Sequence, residues 1–472
     1  MRILPGHPTS NMRLGLRWTL LGIGLIVAAG WLAATHQHGI KKRPNEFVVG
    51  ILVDPVFYQP ASTTSEASGF ELEALQAFAD SRQKRLRLVP AANPGALVEL
   101  LADGDRSGID FIASTPIRAD TNLRYSAPLR EERPLVVQHA DSVPLGGAES
   151  LARRTVEVLP GTLQEAALQE LAATVPMTIE RPLVASEIDL LGRIANRQAE
   201  LAATDTAHFD VAVNFFPDLL VAQELAGRVE YAWGFRSRDN DLRDAADAFI
   251  AEFRRSGRLA RLHDRYFGHI KRINPIAAMR FIEDTRRVLP RFRPLFERAA
   301  SMTGMDWRML AALAYQESKW DPLATSSTNV RGIMMLTEET ADRLGVGNRL
   351  DAAESILAGA RYLAELAGRL PDDVSDPDRL WLALAAYNLG YGHLNGARRL
   401  APGMKRDPAS WYDMKQVLPL MSRPEYYERL KSGPARGGEA VILVENVRTY
   451  YDILRRHEPV HRSPLQTGLA MQ

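Results

Sequence analysis

From about residue 47 to residue 235, short β-rich runs alternate with amphipathic helices, and beyond His269 the strands stop. That change of period constrains the chain more than any other feature, because one layer architecture cannot serve both halves. The run "FVVGILV" predicts a buried strand, and "GFELEALQAFADSRQ" predicts a helix with Leu72, Leu75, Phe78 and Ala79 on one face. "RLRLVPA" returns as a strand, followed by helix "ALVELLADG", strand "IDFIAS" and a later strand read in "FDVAVN". These lengths suit a parallel α/β sheet. "RDAADAFIAEFRRSG" and "RLARLHDRYFG" predict two closing helices, and the pattern then stays helical to the end of "EAVILVENVRTYYDILRRHEP". The expectation is an α+β multidomain chain: an α/β domain over 45–268, a linker or helix over 269–289, an all-α domain over 290–457 and a loose tail over 458–472.

The 58 Lys and Arg nearly balance 57 Asp and Glu, so the formal charge of +1 gives no reason to expect a nucleic-acid partner. Cysteine is absent, which excludes disulfides, thiolate metal sites, cysteine nucleophiles and an acylated lipoprotein cysteine. The ten histidines are scattered with no His-Glu-x-x-His, so neither a catalytic metal nor a cofactor is expected. At the N-terminus, Arg13 and Arg17 precede the apolar run "WTLLGIGLIVAAGWLAA", and residues 1–34 read as a signal peptide or an N-terminal membrane segment. Small residues at Ala28 to Gly30 and at Ala33 and Ala34 permit cleavage, whereas Lys41, Lys42 and Arg43 fit poorly with a cytoplasm-positive anchor. Export is the expectation, with cleavage favoured over an anchor.

In "AALAYQESKWDPLA" an acid falls where an apolar side chain is expected. Trp307, Leu310, Leu313, Ala314 and Glu317 lie at helical spacing, which puts Glu317 on the apolar stripe. Desolvation by Trp307, Leu313, Trp320 and the Met-rich turn would disfavour the carboxylate and let it hold a proton near neutral pH, as a general acid must. Ser318 beside it reads either as a substrate ligand or as a local cap. "TSSTNVRGIMMLT" joins a polar loop to Gly332, which permits close backbone approach, and "ALAAYNLGYGH" places Tyr387 and Asn388 at a helix end closed by Gly390. Tyr450 and Tyr451 stand adjacent on the last long helix.

Taken in order, Glu-Ser, Gly-Ile-Met-Met-Leu, Ala-Tyr-Asn-x-Gly and a C-terminal tyrosine resemble the lysozyme-like lytic transglycosylases over residues 290 to 456. The resemblance implies cleavage of the β-1,4 MurNAc-GlcNAc bond of peptidoglycan without water, giving 1,6-anhydromuramyl ends. Glu317 would be the acid and base, with Ser318, Gly332, Met334, Tyr387, Asn388 and Tyr450 lining or supporting the cleft. Met335 stands where the family commonly has Gln, so a thioether would replace an amide there. Two other readings stay open: a hydrolytic muramidase, and a ligand-binding sensor or scaffold with an inactive catalytic domain.

The first domain resembles the amino-acid-type solute-binding proteins through "GFELEAL", "GIDFIASTPIRADTNLRYSAPL", "FDVAV" and "RSGRLARLHDRYFG". This implies a periplasmic-binding-protein-like fold and a small ligand, an amino acid or muropeptide. Arg118 would hold a ligand carboxylate, as a guanidinium fork does, with Asp210 matched to the amine by position; a structural salt bridge at Arg118 is the other reading. The two resemblances together imply an exported protein of the periplasm, peripheral to the outer membrane, acting on peptidoglycan glycan strands.

Overall fold

The computed structural model describes residues 45–61, 67–91, 93–103, 108–118 and 122–459. The expected signal or membrane segment over 1–34 and most of the tail lie outside them. Among the described residues no helix is long and apolar enough to cross a membrane. The architecture is a periplasmic-binding-protein-like α/β region followed by an all-α lysozyme-like region, and the chain packs as two compact units.

The first unit comprises the chain through Val53, Leu75–Arg130 and Glu230–Ile250. Its sheet carries, in spatial order, strands Arg85–Ala91, Glu46–Leu52, Phe111–Pro116, Val229–Arg236 and Leu123–Tyr125. Glu46–Leu52 pairs in parallel with both neighbours, as β-α-β units require. Val229–Arg236 runs antiparallel to Phe111–Pro116, so the sheet is mixed rather than parallel. That strand arrives after a long excursion of the chain, and no crossover helix fixes its direction. Beneath the sheet, Phe78 stacks on Phe47 at 5.3 Å and tilts against Trp233 at 5.2 Å.

The second unit holds Asp54–Ala74, Glu131–Val229 and Ala251 onward. Its sheet runs Leu219–Glu224, Pro134–His139, Leu201–Asp205, Thr155–Glu157, Thr178–Glu180. Here one expectation is corrected: "FDVAV" lies in and just beyond a helix, Thr206–Ala212, and the strand is the preceding Leu201–Asp205. Asp205 caps that helix by accepting from the His208 backbone N–H at 3.0 Å, which stops the strand before Phe209.

The same unit contains the helical region. Its central helix, Trp307–Ser318, is buried from Trp307 to Tyr315, with Arg308 the one charged side chain in that run. The Asp306 carboxylate caps its start by accepting from the Arg308 N–H at 2.9 Å. The C-terminal helix, Gly437–His457, packs along it and also grips helix Arg258–Phe267 of the α/β region. Arg448 donates to the carbonyls of Asp264 and Arg265, both at 2.9 Å, and Thr449 Oγ1 donates to the His269 carbonyl at 2.9 Å. The Arg265 carbonyl, in the last turn of that helix, gains its partner this way, while the Asp264 and His269 carbonyls also accept from the Gly268 and Arg272 backbone N–H groups. Glu445, fully buried, accepts from Arg448 and from the Trp411 indole, each at 2.7 Å.

Candidate active site

Glu317 is the penultimate residue of the central helix. The helix ends abruptly because Lys319 and Trp320 both take left-handed backbone, with φ of 57° and 62°. Lys319 N–H closes the last turn on the Tyr315 carbonyl at 2.9 Å, and the buried Trp320 indole donates back to Ala311 O at 2.8 Å. The Glu317 carboxyl is left with no hydrogen bond or ion pair among the described residues. Burial pushes its pKa up to about 7, against a smaller downward pull from the Lys319 charge. It therefore holds a proton that a leaving oxygen could take near neutral pH.

The neighbouring Ser318 hydroxyl lies 3.0 Å from Ala314 O and 2.8 Å from Ile333 O, both acceptors. Of the two sequence readings, the geometry matches the structural one: the hydroxyl pins the turn from Gly332 to Met335 to the acid helix. That turn is closed by paired backbone bonds between Arg331 and Leu336, at 2.9 and 3.1 Å. Gly332 sits at φ 85°, and a Cβ there would meet the Arg349 carbonyl oxygen at 1.9 Å. Only glycine fits both constraints.

Met334 meets the site through its backbone rather than its side chain. The thioether is fully buried against Gly359, where a Cβ would lie 2.7 Å from Met334 Cε. Its carbonyl accepts from the Tyr387 hydroxyl at 2.8 Å. Burial raises the Tyr387 phenol well above its usual pKa, with Glu317 and Tyr362 adding to the effect, so it stays a donor. Asn388, one residue on, is exposed, and its side chain carries no protein hydrogen bond among the described residues.

The adjacent tyrosines of the last helix separate cleanly. Tyr450 packs on Phe281 at 4.5 Å and Tyr315 at 5.0 Å, and the Lys319 ammonium lies over its ring at 5.3 Å. Tyr451 points to the other end of the central helix, donating to Asp306 at 2.8 Å. The structure thus joins Tyr450, Tyr387, Ser318 and Gly332 to the Glu317 end of the helix. Lys319 belongs to the same group, and the sequence reading passed over it.

Arg118 lies just past strand Phe111–Pro116 in the first unit, half-buried. Asp210 lies on helix Thr206–Ala212 in the second, paired with Lys271 at 2.8 Å and raised in pKa by burial. A cluster the sequence did not signal is built around Asp205. His208 Nδ1 lies 2.9 Å from Asp205 Oδ1, and its Nε2 lies 2.8 Å from Asp54 Oδ2. Burial pushes the imidazole down, yet the charges of Asp205, Asp54 and Glu187 outweigh it and hold His208 well above its usual pKa. Donor atoms of Glu187, Asp205 and His208 lie within 4.8 Å of one another, close enough for a metal ion. Gln164 and Thr204 already donate to these carboxylates, so the cluster is a buried hydrogen-bonded ionic network.

Comparison with known proteins adds two family models: bacterial extracellular solute-binding proteins, family 3, over residues 48–269, and the transglycosylase SLT domain over 294–408. A membrane-bound lytic murein transglycosylase F from Marinobacter nauticus is 35% identical over 455 residues, 95% of this chain and 89% of that one. The chain belongs to this family. A second member, from Methylobacillus flagellatus, is 45% identical over 66% of this chain and 67% of its own length. Among solved structures, a mutant ArgBP from T. maritima is similar to 48% of this chain and 96% of that chain, at 22% identity and a TM-score of 0.42.

Proposed function

We propose that the protein is a peptidoglycan lytic transglycosylase and that Glu317 is its acid and base. The observation that carries this is the carboxyl at the end of the central helix, raised in pKa by burial and, among the described residues, without a second carboxylate acting on it. A hydrolytic glycosidase needs two carboxyl groups flanking the scissile bond. One suffices when the nucleophile belongs to the substrate. Glu317 gives its proton to the glycosidic oxygen as the bond from that oxygen to the muramyl C1 breaks. The resulting carboxylate then takes the proton of the C6 hydroxyl as O6 closes on C1. The acid is regenerated, no water is consumed, and the product is a 1,6-anhydromuramyl end.

In this reading residues 290–457 form the catalytic domain. Tyr387 fixes the wall beside the acid through the Met334 carbonyl, Ser318 and Gly332 hold the same turn, and Asn388 and Tyr450 line the cleft. Met335, half-buried in the turn, presents its thioether to the sugar. The region over 45–268 serves as a module for a small ligand, an amino acid or muropeptide, with Arg118 as the candidate for a carboxylate and Asp210 as a weaker candidate for an amine. The protein acts on glycan strands after export, at the periplasmic face of the outer membrane.

The test is the chemistry of the ends released from purified sacculi by the full-length protein. Anhydro ends resist borohydride, so products that borohydride leaves unchanged support the proposal. Reducible ends would make the enzyme a muramidase, and a protein that binds ligand but releases nothing would be a sensor.

A further inference from the structure

A residue that ends a helix in left-handed backbone is usually glycine, or asparagine at some cost, because a Cβ is disfavoured there. Here the position is Lys319 at φ 57°, followed by Trp320 at 62°, two consecutive non-glycine residues in that region. Each is strained relative to glycine in that region. Trp320 has a clear structural return, since its indole is buried and bonded to Ala311 O. Lys319 has none of that kind, being exposed. What the turn achieves for Lys319 is direction. It folds the stem back along the helix so that Nζ lies 4.6 Å from the Tyr315 ring centroid and 5.3 Å from that of Tyr450. Both distances are those of cation–π contacts, and the charge so held pulls against the burial-driven rise of Glu317, two positions earlier in the chain.

We propose that Lys319 is a positioning residue of the reaction, an ammonium clamped on Tyr315 and Tyr450 so that its charge supports the Glu317 carboxylate between the two proton transfers. The inference rests on the acid and base role of Glu317 proposed above. When the glycosidic oxygen takes the proton, an anion appears in a desolvated wall, where its cost is greatest. A nearby cation lowers that cost by Coulomb attraction, and the need ends when the C6 hydroxyl returns a proton.

The charges around Lys319 are few. On its own helix stands Glu317. From helix Pro275–Arg287, Arg280 opposes the ammonium while Asp284, which accepts from the Tyr315 hydroxyl at 2.9 Å, favours it. The C-terminal helix contributes Tyr450, and helix Asp378–Leu389 contributes Tyr387 on the Glu317 side. Partial burial of the ammonium, with Arg280, pushes its pKa below the ordinary lysine value, while Asp284 and Glu317 pull it back up. Arg280 is mostly solvated, so its contribution is screened.

The experiment compares the full-length protein with Lys319→Met, Lys319→Arg and Arg280→Gln. The pH profile of kcat/KM on sacculi is one readout. The other is a carbon-13 NMR titration of Glu317 in the absence of substrate, its resonance assigned with Glu317→Gln. The Met variant is expected to lose about tenfold in turnover and to move both the alkaline limb and the NMR midpoint upward by about half to one pH unit. The Arg variant is expected to restore both, and Arg280→Gln to leave both in place. An unmoved limb and midpoint in Lys319→Met would overturn the proposal. If the midpoint moves while Glu317→Gln is as active as the parent, the charge coupling is real but the acid assignment has failed, and the catalytic role of Lys319 falls with it.

Discussion

The Tyr387 hydroxyl donates to the Met334 carbonyl at 2.8 Å, and this bond joins the helix that follows the acid in space to the turn that walls it. It links two segments 53 residues apart in sequence. Tyr387→Phe would leave the carbonyl without its partner while keeping the ring against Tyr362, 5.3 Å away between centroids. We expect a stability loss of about 1 kcal/mol and a fall in turnover of roughly 10- to 100-fold, because misplacement near the reacting centre costs far more in rate than in folding. Denaturant melts beside steady-state rates check this; equal losses in both would make Tyr387 merely structural.

Glu317 should destabilise the fold that holds it. Its pKa rises from 4.5 to about 7 on folding, so the unfolded chain releases the proton first as pH rises. The stability it permits is fully present below pH 4.5 and is lost as pH climbs toward 7. Glu317→Gln removes that loss, so the variant is expected to be more stable than the parent by about 2–3 kcal/mol at pH 8 and nearly equal to it at pH 4. Thermal melts at both pH values decide it, and a variant less stable at pH 8 would show that the carboxylate is held by contacts the geometry lacks.

The grip of the last helix on Arg258–Phe267 depends on Glu445 and Arg448. Burial alone would raise the Glu445 pKa, but Arg448, Lys415 and the Trp411 indole bring it down to about 2. The sign is therefore opposite to that of Glu317: its contribution is present above pH 4.5 and is lost as pH falls toward 2. Arg448→Met leaves a buried carboxylate with only Lys415 for a charge partner, and we expect a loss of about 3–5 kcal/mol at pH 7 that shrinks toward pH 3. A loss independent of pH would mean that Arg448 acts through packing and its carbonyl contacts alone.

The acid was legible because burial of a helix face leaves a period in the sequence, and a carboxyl on that period stands out. What surrounds it was legible only in part. Lys319 was missed because its left-handed turn is made by Lys-Trp, where the usual signal is glycine or asparagine. Tyr450 was preferred to Tyr451 through the family resemblance alone, because neighbours on a helix differ by only about 100° of rotation, and the packing of Phe281 and the bond to Asp306 show how far their surroundings differ. Asp205 was hidden by "FDVAV", whose alternation imitates a strand although the capping carboxylate has already begun a helix. The buried Glu445–Arg448 pair reads in sequence as an ordinary solvated helix face, since nothing local reveals that another helix end will cover it.

The central claim is tested most directly by mass spectrometry of the fragments that full-length protein and its Glu317→Gln variant release from purified sacculi. Muropeptides lighter by one water than their hydrolysed counterparts, released by the parent and missing from the variant, are the predicted result. Fragments of full hydrolytic mass, or anhydro fragments released equally by the Gln variant, would contradict it.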